Sequence, residues 1–151
     1  MKRIIFGFMM GFLLLSISAF GAGSVNCQPQ DNINSEGYYE MVCTATADGS
    51  GTFPATSLLP WWPGFKGYYI YELETAPGSV APSDGYSITL ADGFGSGTAA
   101  DLLAGKGVSQ SNAKASIITG INTFADSPPT LNITGNSVAS AVITVKIVLV
   151  R

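Results

Sequence analysis

Aromatic side chains are the residues of this sequence best suited to contacting another molecule. The pair Trp61 and Trp62 stands between two prolines, a pattern typical of an exposed loop rather than a strand. Phe65 and Tyr68 follow closely, and two further tyrosines continue the stretch. Aromatic rings can stack on sugar rings or anchor a protein partner, because they bury a large area on contact. We therefore predict a binding site at Trp61, Trp62, Phe65 and Tyr68, with packing inside a sheet as the alternative use of these rings.

Two carboxylates could form a hydrolytic pair. Glu72 and Glu74 alternate along a predicted strand, which places them on one face about 7 Å apart. Inverting glycosidases hold their carboxyl groups at such a separation, but every i, i+2 pair on a strand has it. The chain contains no histidine, so neither a histidine-based catalytic triad nor a histidine metal site can form. We expect no catalytic residues and no enzymatic activity.

Acidic residues also stand beside glycine-rich turns. Asp84, Asp92 and Asp101 could supply oxygen ligands to calcium, which prefers several convergent oxygens. The sequence has no EF-hand spacing, and the glycines at 93, 95 and 97 lack the lysine of a phosphate-binding loop. We interpret the three acids as solvated turn residues and expect neither a metal ion nor a cofactor, with a weak calcium site as the alternative.

The segment 1–21 has the pattern of an export signal. Two basic residues precede an apolar run from 4 to 20. Ala19 and Gly21 are then small residues at positions −3 and −1 of a cut before Ala22. The sequence therefore predicts a signal peptide over 1–21.

Cleavage of this signal would leave one domain over 22–151, in the periplasm, outside the cell or on a virion. The alternatives are a retained membrane anchor and a lipid attached at Cys27. The domain would carry five basic against ten acidic residues, because the signal removes two of the seven basic ones. This balance disfavours nucleic acid and anionic membranes as partners.

The two cysteines predict a disulfide bond within this domain. Exported proteins fold in oxidising compartments, where Cys27 and Cys43 would form a disulfide. By the chain-entropy model a loop of this size contributes roughly 3 kcal/mol to stability. Two free buried thiols are the alternative.

Alternating hydrophobicity predicts that the rest of the chain consists of short strands. Between 38 and 47 every second residue is apolar or cysteine, and 140–150 alternates most clearly, with Lys146 on its wetter face. Glycine, proline and asparagine turns separate the runs. We predict an all-β fold, a single β-sandwich or partly open barrel of about 6–8 strands. One short helical turn is expected near 98–104.

The last predicted strand raises the question of assembly. The segment 140–150 is apolar and nearly free of charge, so an exposed edge there would pair with other chains unless something covers it. Pairing across subunits would produce an oligomer. We therefore expect a protein partner or a homo-oligomer.

Four stretches from Gly67 onward carry a resemblance to a known family. They read GYYIYELETAPG at 67–78, APSDGYSITLAD at 81–92 and ADLLAGKG at 100–107, followed by 132–136 before the final strand. In this order they resemble small, mostly uncharacterised proteins of tailed phages and prophages, over about half of the chain. The resemblance implies a β-rich virion or virion-associated protein and brings no catalytic residues. The signal peptide and the Cys27–Cys43 region have no counterpart in that family.

These observations lead to two functional hypotheses. The first is an exported, non-catalytic structural or interaction protein, such as a phage-type virion-associated or self-assembling β-sandwich. The second is an extracellular module that binds a glycan or a protein through the exposed aromatic loop.

Overall fold

The structure of the protein, a computed structural model, describes residues 21–30, 37–61, 63, 66–93, 99–124 and 127–151. The predicted signal peptide lies outside the described residues up to position 20. Within the described ranges, no helix combines the length and the apolar character needed to cross a membrane.

The predicted all-β fold is confirmed. Nine strands and one short 3₁₀ turn at Leu59–Trp61 are present in the described residues. They form two antiparallel sheets, one of six strands in the order β1-β2-β9-β4-β6 with β7 also paired to β4, and one of three strands in the order β3-β8-β5. The strands are β1 Ser24–Gln30, β2 Tyr38–Thr46, β3 Thr56–Ser57, β4 Tyr69–Pro77, β5 Ser87–Ala91, β6 Ser116–Ile118, β7 Thr123–Phe124, β8 Thr130–Thr134 and β9 Val142–Val150.

The core lies between the two sheets. It is formed by every second residue of the strands, because successive side chains of a strand point to opposite faces. Along β9, Ile143, Val145, Ile147 and Leu149 are buried, as the alternation predicts. The three-stranded sheet contributes buried isoleucines and leucines from β5 and β8 to the same core. Each fully buried side chain of this size contributes about 1.5–3 kcal/mol relative to exposure. We call the opposite side of the six-stranded sheet the outer face.

Strand β9 lies in the middle of the six-stranded sheet. It pairs with β2 from Val142 to Val150 and with β4 from Ile143 to Val150. Both edges of this apolar strand are therefore satisfied within the same chain. The sequence-based reason for expecting an oligomer, an uncovered strand at 140–150, does not apply to this fold.

The edge strand β1 is fixed by the disulfide. Cys27 and Cys43 lie directly opposite each other on β1 and β2 and are bonded, which excludes a lipid at Cys27. Their Cα atoms are 3.9 Å apart, the close spacing of a pair whose main-chain groups point away from the partner strand. Pro29, two residues further on, has the same orientation and offers no N–H at the open edge. The free edge of β1 is therefore a poor template for another strand.

No helix is present in the described part of the turn expected near 98–104; residues 102–107 form hydrogen-bonded turns instead. The reason is that main-chain groups of this segment also bond to β5. Within the segment, the Ala104 N–H donates to the carbonyl of Asp101 and the Lys106 N–H to that of Leu103. Leu102 donates its N–H to the carbonyl of Leu90, and Ile88 donates to the carbonyl of Gly107. Asp101 accepts hydrogen bonds from three main-chain N–H groups and fixes the turns. The segment thereby covers the outer edge of β5.

A single asparagine joins three loops at one end of the molecule. The Asn136 amide nitrogen donates to the carbonyls of Gly51 at 2.7 Å and Val138 at 3.0 Å. Its amide oxygen accepts from the N–H groups of Ser83 at 2.8 Å and Val138 at 3.2 Å. All four polar positions of the side chain are in use, so Asn136 fixes how the connections before β3, β5 and β9 meet.

We expect Asn136→Ala to destabilise the protein by about 2–3 kcal/mol, because it leaves partners in all three loops without a hydrogen bond. Urea unfolding measures the change. Asn132→Ala is the matched control, since its side chain makes only long hydrogen bonds of 3.5 and 3.4 Å, and should cost less than about 1 kcal/mol. Equal losses in both variants would contradict the assignment.

Candidate functional site

The structure places the described residues of the predicted aromatic site against the core. Trp61 ends the 3₁₀ turn and, like Tyr68, is half-buried and packs on core residues. The Tyr68 ring lies 6.2 Å from that of Tyr39, and the Arg151 guanidinium lies 5.7 Å above it. The Trp61 and Tyr68 rings therefore take part in internal packing, which was the alternative to a binding site. Trp62 and Phe65 lie outside the described residues.

Other aromatic side chains form a row on the outer face. Val150 of β9 is flanked by Tyr38 of β2 and Tyr69 of β4. Phe124 of β7 continues this line, with its ring centroid 5.2 Å from that of Tyr69. Tyr38, Tyr69 and Phe124 are 40%, 46% and 44% exposed. The line crosses four neighbouring strands, a span of about 14 Å at the usual strand spacing.

A bulge in β4 adds a fourth ring. The pairing of β4 with β9 shifts between Ile70 and Glu72. Ile70 and Leu73 are both buried, so the two residues between them have their side chains away from the core. Tyr71 is one of them and is 44% exposed. We call Tyr38, Tyr69, Tyr71 and Phe124 the aromatic row.

Carboxylates border the aromatic row. Glu40 of β2 and Glu72 of β4 are both in register with Val148 of β9, which lies between them. One cross-strand line further, the Lys146 Nζ atom forms an ion pair with the Glu74 Oε1 atom at 2.7 Å. Lys146 thus lies on the wetter face of β9, as predicted.

The charges on this face influence one another. Burial raises the pKa of Glu72 above its ordinary value, and the hydrogen bond and negative charge of Glu74 raise it further. Glu40 acts in the same direction, whereas the charge of Lys146 opposes the shift. The pKa of Lys146 is raised, mainly by its hydrogen bond to Glu74. Three carboxylates therefore share one ammonium group here.

The outer face is open rather than enclosed. A groove of about 140 Å³ lies further along β4 and β9, between these strands and β6, away from the aromatic row, and Glu74, Ile117 and Lys146 are among its lining residues. Pockets that hold small molecules are usually 300–1,000 Å³. Glu72 and Glu74, the candidate hydrolytic pair, lie on this shallow surface, and Glu74 is engaged by Lys146. The geometry suits contact with a broad or extended partner.

The three candidate calcium ligands each hold their own loop. Asp84 accepts a hydrogen bond from the N–H of Asn112, Asp101 accepts its three main-chain donors, and Asp92 accepts one from the Ser127 hydroxyl. Across the described ranges, His, Cys, Asp and Glu side chains form no group of three or more that could hold a metal ion.

Sequence reasoning missed Tyr38, Phe124 and Glu40 as members of this face. The alternation of β2 contained a signal, because Tyr38 and Glu40 fall on the opposite side from the apolar positions. Phe124 had no such signal, since its strand has only two residues. Its place beside Tyr69 depends on a pairing between segments distant in sequence.

Comparison of the chain with family models, with curated proteins and with solved structures finds no match. The resemblance to phage-type proteins stays a prediction.

We expect Glu72→Gln to stabilise the protein slightly at pH 7, with a melting temperature higher by about 1–2 °C. The pKa of Glu72 is raised in the folded state, mainly by burial and Glu74. Its ionised form therefore costs stability as the pH rises through that pKa, and glutamine removes the cost. Below the ordinary pKa of glutamate, near pH 3, the difference should vanish. Thermal unfolding between pH 3 and 7 tests this.

Glu74→Gln is the matched control, because it removes the ion-pair partner of Lys146 and should lower the melting temperature at pH 7. A Glu72→Gln variant that is less stable than the wild type at pH 7 would contradict the expectation that burial and the charges of Glu74 and Glu40 make ionised Glu72 unfavourable.

Proposed function

We propose that this protein is an exported, non-catalytic interaction protein that binds a partner on its outer face through the aromatic row. The observation that carries this proposal is the exposure of four aromatic side chains, each at 40% or more, on one face of one sheet. Scattered apolar residues are common on protein surfaces, but a contiguous group of large rings usually marks an interaction site.

The rigidity of the sheet supports the same conclusion. Tyr38, Tyr69 and Phe124 are attached to strands whose register is fixed by main-chain pairing. Rings held in this way lose little further freedom on binding, which reduces the entropic cost of association. Aromatic side chains are also the residues most often found as energetic centres of protein interfaces.

Export is part of the proposal. The Cys27–Cys43 disulfide is compatible with an oxidising location. The signal-like segment 1–21 would direct the chain there.

The phage-type resemblance favours a virion-associated role for the protein. The resembling stretches supply β4, β5 and the end of β8, so they include Tyr69 and Tyr71 of the aromatic row. Such a protein would use this face to attach to a neighbouring component. A glycan ligand on the same rings is the alternative, and the test below includes it.

The test is binding of the mature protein to a glycan array and to a displayed library of random twelve-residue peptides. Tyr69→Ser/Phe124→Ser should reduce binding of whatever the wild type selects by at least about tenfold, because each ring would be an interface anchor. Circular dichroism and thermal unfolding establish that the variant is folded.

Ile117→Ser is the control, because Ile117 is 63% exposed and pairs in register with Glu74, away from the aromatic row. It should leave binding unchanged. If Tyr69→Ser/Phe124→Ser binds like the wild type while Trp61→Ala/Trp62→Ala does not, the aromatic loop is the site and the proposal is wrong.

A further inference from the structure

The charge of the outer face restricts what can bind there. Among the described residues that pair across β2, β9 and β4, Glu40, Glu72 and Glu74 supply three carboxylates on this face and Lys146 supplies one ammonium group. Lys146 is in contact with Glu74. A partner that covers the aromatic row must come close to the remaining acids, since Glu40 and Glu72 occupy the cross-strand line next to it.

Covering these carboxylates with a neutral surface would be unfavourable. Removing a charge from water costs free energy unless a partner of opposite sign replaces the lost hydration. Like charges are already close together here, and after burial the charges of Glu74 and Glu40 contribute to the raised pKa of Glu72. A positive group placed between the aromatic row and the acids would relieve this repulsion.

The rings and the acids together match one kind of cation. A guanidinium group stacks on an aromatic face and donates paired hydrogen bonds to a carboxylate. Tyr38 and Glu40 lie on β2 with one residue between them, and Tyr71 precedes Glu72 directly on β4. Each side of β9 therefore presents a tyrosine ring close to a carboxylate.

We infer that the partner of the outer face is a basic, extended protein segment whose arginine or lysine side chains contact the aromatic row and the Glu40 and Glu72 carboxylates. The inference rests on the proposed function and names the class of partner. Glu40 and Glu72 are two strand spacings apart, about 10 Å. In an extended polyproline II segment, which has three residues per turn, basic residues three positions apart lie on one side about 9 Å apart.

A second copy of this chain fits the face poorly. Two outer faces docked against each other would bring two sets of three carboxylates together, with one ammonium group in each set. The domain predicted to remain after signal cleavage also has five basic and ten acidic residues, so copies repel one another overall. Charge complementarity therefore favours a basic partner of different sequence.

The test is a titration of the mature, disulfide-bonded protein with a twelve-residue peptide of Arg-Ser-Ser repeats. The same peptide with glutamine in place of arginine and a neutral chito-oligosaccharide serve as alternative ligands. We expect the arginine peptide to bind at least about tenfold more tightly than either at 50 mM salt. The preference should weaken at 500 mM salt, where screening shortens the range of the charges.

Glu40→Gln/Glu72→Gln should weaken binding of the arginine peptide by about tenfold and leave binding of the glutamine peptide unchanged. Asp84→Asn is the matched control. Asp84 is an acid in the turn before β5 of the three-stranded sheet, and its carboxylate accepts a hydrogen bond from the Asn112 N–H rather than belonging to the outer face. This control should bind the arginine peptide like the wild type.

The inference fails if the arginine peptide does not bind, if the glutamine peptide or the oligosaccharide binds as tightly, or if Glu40→Gln/Glu72→Gln has no effect. The proposed function is judged separately by Tyr69→Ser/Phe124→Ser. Loss of binding to a neutral ligand in that variant would retain the aromatic row as a binding site while overturning the basic partner.

Discussion

Strand β9 holds the six-stranded sheet together by pairing with β2 on one side and with β4 on the other. This last strand of the chain joins the disulfide-bonded N-terminal strands to the strand from the middle of the sequence. No two of the three strands are joined by a short turn. Such non-local pairing loses the entropy of closing long loops before the stabilising contacts form. We therefore expect slow folding that is completed only when β9 is in place.

In the paired strands, alternate residues pack in the core or face outwards on the candidate binding surface. Residues of β9 at odd positions from Ile143 to Leu149 fill the core, whereas Lys146 and Val150 face outwards. The bulge in β4 lets two successive residues, Tyr71 and Glu72, leave the core side without disturbing Leu73. β4 and β9 therefore contribute to stability on one face and to the candidate binding surface on the other.

The sequence predicts the parts of this arrangement that depend on local pattern. Alternation identifies β2 and β9 and the outward position of Lys146, because the side-chain period of a strand is visible in the residues themselves. The helical expectation near 98–104 was wrong because Asp101 and Leu102 bond to β5, a tertiary choice that overrides the local capping pattern. The aromatic row was not predictable, since only long-range pairing brings Tyr38, Tyr69 and Phe124 together.

Light scattering of the purified protein, combined with non-reducing mass spectrometry, tests whether β9 closes the sheet within one chain. We expect a monomer that begins at Ala22 and is two hydrogens lighter than the reduced chain. A monomer follows because both edges of β9 are occupied and the open edge of β1 carries Pro29. A stable oligomer, or a chain with free thiols, would contradict it.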